Sequence, residues 1–259
     1  VLVGDDQKPF AVHKNVIREF SEYFNRALGP NYQEGEDGSV TLPEVSAATF
    51  AIYQKWLYMQ VTRSFLPEMH VLQSHMLRKD YQDRYGPHIA ETGQLLWERL
   101  LELYILADAY ETTALRNDIL SALNFMSDRV GLWPGFPIVP AAFERLSASS
   151  KFCQYLIKST AMNWNGTDSD PEIAGTIMSL PKVFIVAVMK INTYRAYQND
   201  TESMARLQKA LAGRCTFHEH ASQEDKAICK KRENTDMSLI ESILEMCLAE
   251  TEETVAEDA

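Results

Sequence analysis

Long apolar runs are missing from this sequence. No stretch of 18 or more apolar residues occurs, and the longest candidate, Val183 to Met189, is far too short to cross a bilayer. A membrane partner is therefore not expected. Basic residues are in short supply: 25 Lys and Arg stand against 36 Asp and Glu, a formal net charge of -11. Phosphate backbones repel such a chain, so nucleic acid is not an expected partner either. The one compact basic patch, Lys230-Lys231-Arg232, is followed by Glu233 and Asp236 and reads as a solvated turn. The four cysteines, at 153, 215, 229 and 247, are too sparse and irregular for a disulfide framework. No basic-then-apolar leader stands at the front. The chain is thus expected in a reducing compartment, cytoplasm and/or nucleus. The N-x-T triplets at Asn165 and Asn199 are then chance matches. The chain starts at Val1 and not at methionine, and is expected to be a fragment whose true start is missing.

Catalytic signatures are lacking as well. None of G-x-S-x-G, H-E-x-x-H, G-x-x-x-x-G-K or G-x-G-x-x-G occurs. Acid pairs fall on a turn, as Asp5-Asp6, or near the end, as Glu252-Glu253, where solvation explains them. The pair His13-Lys14 lies at a strand–helix junction, where a histidine usually satisfies backbone groups rather than moving protons. No enzyme is expected.

What is present is a dense helical pattern behind a few short strands. Val1-Leu2-Val3 closes at a Gly4-Asp5-Asp6 turn, and Phe10-Ala11-Val12 is expected to return as a second strand. Ile17, Phe20, Ser21, Phe24, Ala27 and Leu28 follow at helical spacing, ended by Gly29-Pro30. Residues 31–39 read as a polar loop before a third strand at Val40-Thr41-Leu42. Ser46 caps a helix that carries Phe50, Tyr53 and Leu57 and fades by Gln60. Residues 61–93 hold two prolines and mixed charge and read as an insertion. From Gln94, Leu96, Leu100, Leu103, Ala107 and Tyr110 mark a helix, and Thr112 or Thr113 restarts the chain as its partner in a helical hairpin. After the breaker-rich 131–137, helices are predicted from Pro140, Pro171, Pro181 and Asp200, and a last one after Asp236. Trp133 and Phe136 sit in that breaker segment and are expected to pin the two halves together. Residues 250–259 read as an acidic disordered tail.

Four blocks in this order resemble the BTB/POZ family, in the style of its fungal members. They are Phe10-Ala11-Val12-His13-Lys14 with Ser21-Glu22-Tyr23-Phe24; Val40-Thr41-Leu42-Pro43-Glu44-Val45 with Phe50; Trp56-Leu57-Tyr58; and the helix Leu101 to Tyr110. The resemblance covers Val1 to about Asp128. It implies an α+β fold, a small sheet capped by helices, over 1–128 with the insertion at about 61–93. An all-α extension over 129–249 and the tail complete the chain. It makes His13 a structural signature. It also implies a non-enzymatic protein–protein interaction module, with proteins as partners: a cullin, or a second copy of the chain. In family members that serve cullin-type ubiquitin ligases, an apolar-x-Glu motif lies in the loop before the third strand, and Tyr32 and Glu34 match it. Leu66-Pro67-Glu68 fits the same letters but lies in the insertion. Two readings stay open, a substrate adaptor for a cullin ligase and a scaffold or transcription-regulatory factor without cullin contact. The family's first strand starts earlier, and some members carry an N-terminal helix that builds a homodimer; neither stands in this sequence.

One constellation belongs to metal chemistry. Cys215, His218 and His220, with Cys229 beyond, supply four of zinc's preferred ligands, enough for a closed tetrahedral site. Glu219 and Glu224 are placed to orient the imidazoles. One structural zinc is the cofactor this pattern allows, against a plain surface loop. A metal-dependent enzyme using the same cluster is the reading from another class.

Overall fold

The computed structural model describes residues 1–65, 89–127, 131–164, 171–197, 200–231 and 237–257. Most of the insertion, with Leu66-Pro67-Glu68, lies outside the described residues. So do both N-x-T asparagines, Asp170, Arg232 and Asp236. The described chain is helical apart from one three-stranded sheet, so the α+β class holds. Among the described residues, no helix is long and apolar enough to cross a membrane.

Contacts divide the chain into two compact units. The first comprises 1–75, 99–122 and 232–259, the second 76–98 and 123–231. The expected division runs once along the chain, near 128. The observed first unit instead takes in the last helix. That helix carries Ile240, Ile243, Leu244, Cys247 and Leu248 on one buried stripe, which needs an apolar partner wherever one exists.

In the first unit, β1 (Leu2–Val3) pairs antiparallel with β2 (Lys8–Pro9) and parallel with β3 (Thr41–Leu42), in the order β2-β1-β3. Gly4 turns the hairpin at φ 73°, a conformation only glycine takes without strain. The second strand lies two residues ahead of the expected Phe10-Ala11-Val12. Phe10 still donates its N–H to the Val1 carbonyl, but its ring turns inward to meet Phe50 edge-on at 4.9 Å.

The expected single helix after His13 is two. Helix α1 (Lys14–Phe20) stops at Ser21, whose extended backbone opens α2 (Glu22–Ala27). The Ser21 hydroxyl accepts from the Phe24 N–H at 3.1 Å and donates to the Tyr110 carbonyl at 2.6 Å. A capping serine at this spacing mimics helical periodicity, so the break is hidden from pattern reading. Ser21 is buried, and Ser21→Ala leaves one donor and one acceptor short. Its expected cost is about 2 kcal/mol, read as a lower urea midpoint with unchanged slope.

The polar loop before β3 contains a short helix, α3 (Gln33–Asp37). Helix α4 (Ala47–Phe65) starts where Ser46 caps it, its hydroxyl accepting from the Thr49 N–H. It runs past the expected end at Gln60 because Gln60 and Arg63 both reach a buried carboxylate, Asp118. Helix α5 (Ile89–Ala109) begins before the expected Gln94, and α6 (Thr113–Phe125) follows it after the short turn at Tyr110 to Thr112. An aromatic ladder fills the first unit. Phe24 and Tyr53 stack at 6.5 Å, Tyr53 and Trp56 at 6.0 Å, and Phe20 meets Trp56 edge-on at 5.9 Å. Such pairs contribute about 0.5–1.5 kcal/mol each beyond the area they bury. Burial pushes the Tyr53 hydroxyl up to about 12, with bonds to Thr112 and Ser21 pulling back.

The second unit is built around α8 (Lys151–Asn163), which buries Phe152, Tyr155, Leu156, Thr160 and Ala161 around most of its circumference. Packed on it are α7 (Ile138–Arg145), α10 (Lys182–Tyr197) and α11 (Asp200–Ala212); α9 (Pro171–Met178) precedes α10. Ser150 caps α8, and α7 and α8 are separate where the sequence suggested one interrupted helix. Phe136 meets Trp164 edge-on at 5.6 Å inside this unit. A short 3-10 turn (Arg214–Thr216) and α12 (Gln223–Lys231) follow α11.

The last helix, α13 (Met237–Glu257), packs on α4 in the first unit. It continues through most of the expected disordered tail. Its buried stripe nucleates the helix, and alanine and glutamate propagate it at little cost.

Candidate metal centre and partner loop

The metal-type cluster lies wholly within the second unit. The 3-10 turn supplies Cys215, the extended residues after it supply His218 and His220, and α12 supplies Cys229. Two local bonds shape the approach. The Thr216 N–H donates to the Gly213 carbonyl at 2.8 Å, and the Ser222 hydroxyl accepts from the Asp225 N–H at 3.0 Å, capping α12. Between Cys215 and His218 stands Phe217, which is buried. Its ring meets Tyr155 of α8 edge-on at 5.3 Å, and the Lys158 ammonium lies 5.0 Å above it. Tyr155 is itself fixed, donating to the Leu123 carbonyl at 3.0 Å and sharing a short bond with the Ser127 hydroxyl. Burial raises its hydroxyl far above the usual tyrosine range. The ligand loop is therefore anchored to the innermost helix of its unit by a single aromatic residue.

The ligand atoms of Cys215, His218, His220 and Cys229 all lie within 4.8 Å of one another. In a tetrahedral zinc site with Zn–S near 2.3 Å and Zn–N near 2.1 Å, ligand atoms stand roughly 3.4–3.8 Å apart. Closure thus needs side-chain adjustment of about 1 Å and no change in backbone path. The His218 Nδ1 and the Cys229 Sγ are already 3.2 Å apart, and the two imidazole rings lie 5.9 Å apart, centre to centre. His218 is buried and the other three are half-buried. The His220 Nε2 is buried without a hydrogen-bond partner among the described residues. A buried imidazole nitrogen is normally paired, and beside two thiols an ion is a fitting partner.

The pKa of His220 is lowered, first by burial and then by Lys226, with Asp225 opposing. The ring is held neutral, the form that binds metal. Those two neighbours come from α12; Glu224 stands exposed in the first turn of the same helix. The donor set fits zinc: two sulfurs and two imidazoles, four in all, with no protein-free position for water. Cys153 and Cys247 are elsewhere. Both are buried and outside any disulfide, and the Cys153 thiol, raised by burial, donates to the Ala142 carbonyl.

No family model, curated protein or solved structure matches this chain.

The second predicted site lies in the first unit. Tyr32 precedes α3 with an extended backbone and is 52% exposed, unlike most of the aromatic residues around it. Its carbonyl accepts from the Gly35 and Glu36 N–H groups, so the segment is a defined turn. Gly35 fixes its seat. A Cβ there would stand 1.9 Å from the Gly29 carbonyl oxygen, and the Lys14 ammonium donates to the Gly35 carbonyl at 3.2 Å. Glu34 is exposed in the first turn of α3. His13 takes a side-chain partner: its Nδ1 lies 2.8 Å from the Tyr58 hydroxyl. The spacing that marked Cys215 to Cys229 is local and could be read from the sequence. Phe217's anchor on Tyr155 could not, since nothing in the letters links positions 62 residues apart.

Proposed function

We propose that this chain is a non-catalytic protein-interaction module of BTB/POZ type with a helical extension, clipped in its second unit by one structural zinc. What supports the reading is the way the separated sequence blocks bond to one another. His13 of the first block pairs with Tyr58 of the third, and Ser21 of the first donates to Tyr110 of the fourth. Signature letters that interlock this way act as framework. The surface is then left to recognise partners. The zinc is held by Cys215, His218, His220 and Cys229 and would cross-link the ligand loop to α12. Four protein ligands leave no vacancy for substrate, which argues against the metal-dependent enzyme. Cytoplasm and/or nucleus is the setting in which such thiols stay reduced.

Within this reading, the adaptor version draws on Tyr32. An exposed aromatic on a glycine-seated turn suits insertion between the helices of a cullin, with Glu34 beside it. Titrating the full chain into a cullin N-terminal domain tests it. Wild-type protein is expected to bind at tens of micromolar or tighter, and Tyr32→Ala with Glu34→Ala to weaken binding at least ~100-fold, about 2.7 kcal/mol. If wild type does not bind at those concentrations, the scaffold version stands instead.

A further inference from the structure

Helix α10 is apolar on two faces. One face is buried: Phe184 and Val188 point inward, and Phe184 meets Phe143 of α7 edge-on at 5.5 Å. The other carries Val183, Val186, Met189, Tyr194 and Tyr197 at 49–86% exposure. Together with Lys190 and Thr193, four of these line an open groove of about 550 Å³. A helix with apolar residues all round normally has neighbours all round. Here the neighbour on the second side, among the described residues, is Arg206 of α11, which bonds the Tyr194 side chain and pairs with Glu202, and the apolar patch beside it is continuous rather than scattered.

We infer that this face is where a second copy of the chain docks, α10 against α10 in antiparallel register about a two-fold axis at Lys190. The order of side chains carries the choice of occupant. Val183 stands seven residues before Lys190 and Tyr197 seven after; Val186 stands four before and Tyr194 four after. In an antiparallel pair centred at Lys190, each valine of one copy faces a tyrosine of the other. Small meets large at these two levels on either side of the axis, an alternation that interdigitates well. The same face used by both copies makes a closed dimer and leaves no surface for further growth. The exposed face of α10 is about 24 Å long and 10–12 Å across. That is the small end of specific interfaces, under ~1,200 Å² in total, so the dimer is weak and reversible.

Charge sets the second expectation. α10 carries Lys182, Lys190 and Arg195 and no acidic residue. Arg195 is engaged at the Ala161 carbonyl, which leaves the two lysines on the open face. Self-pairing brings Lys190 against its copy. The lysine stems can lie along the apolar floor while the ammonium groups reach water, and added salt screens their repulsion. The dimer therefore tightens as salt rises. An acidic helix from another protein would bind the same face with the opposite salt dependence.

Sedimentation velocity of the full chain at low and high salt decides. The expected result is a monomer–dimer equilibrium with Kd of roughly 10–100 µM, tighter at high salt. Val186→Glu is expected to weaken it at least ~10-fold and Lys190→Leu to tighten it ~10-fold. Both positions are exposed, so thermal melts should not move. Lys190→Cys should be linked to its copy by a short bis-maleimide, and Lys209→Cys, exposed on α11, should not. A monomer at every concentration and both salts overturns the inference. So does a dimer that Val186→Glu leaves unchanged, since another face then makes it.

Discussion

Asp118→Ala is expected to destabilise the first unit by about 3–5 kcal/mol, with a fall in Tm of roughly 10 °C. One carboxylate oxygen, Oδ2, accepts from the Trp56 indole at 3.0 Å and the Gln60 amide at 3.2 Å, and faces the Arg63 guanidinium at 3.5 Å. Asp118 is buried on α6 and the three donors are on α4, so this atom ties the two helices together. Removing it takes the shared acceptor from two buried neutral donors and the carboxylate from beside a mostly buried cation, which keeps its bond to the Gln60 Oε1 at 3.1 Å. Each is costly in a medium that cannot replace the bond. Asp118→Asn separates the contributions. It keeps an oxygen for Trp56 and Gln60 but gives up the charge opposite Arg63, and is expected to cost about 1–2 kcal/mol. Urea unfolding followed by far-UV circular dichroism measures both. A loss below about 1 kcal/mol for alanine would mean that water replaces the carboxylate and that the helices are held by packing alone.

Stripping zinc carries the other large effect. The purified chain is expected to retain about one zinc through dialysis. A strong chelator should remove it and lower stability by about 4 kcal/mol relative to protein in zinc at 1,000 times its Kd. Cys229→Ser and His218→Ala should abolish retention, while Cys153→Ser, which alters a buried thiol outside the cluster, should not. Hydrogen exchange should show protection lost over residues 213–231, where the ligands lie. Acid acts in the same direction as the chelator. The His220 pKa is lowered in the folded protein, so the unfolded chain binds its proton first as pH falls below 6.5. The histidine's contribution is thus complete above 6.5 and is lost as pH falls toward the folded value. Protons and metal compete for the same nitrogens, so zinc should leave over that window too. Metal-free protein whose Tm a chelator cannot move would reduce the cluster to a hydrogen-bonded Cys–His pair.

What could be read from the sequence was local. Gly4, Ser46 and Pro181 act within a turn of where they stand, and the hairpin turn and the α4 and α10 starts follow from them. The four metal-type ligands span fifteen positions and meet without long-range help. Properties set by distant partners were out of reach. Gln60 looked like a helix end because Asp118, which holds it, is 58 residues away. Ser21 counted as one more position in a helical stripe because its bond to Tyr110 has no sequence signal. The glutamates after residue 250 read as a tail because their helix is paid for upstream, by the stripe from Ile240 to Leu248. The open face of α10 escaped notice because apolar letters at helical spacing look the same whether they face inward or outward.

The return of α13 to α4 has a consequence for how the protein is made. A ribosome releases the sheet, α4, α5 and α6 by residue 125, yet the helix that covers the open flank of α4 emerges only after residue 237. At synthesis rates of about 5–20 residues per second, the nascent first unit waits of the order of 10 s with that flank bare. The second unit, complete by Lys231, has all its segments before the first does. Order of birth and order of completion are reversed in this chain, and the earlier-born half is the one exposed to chaperones while it waits.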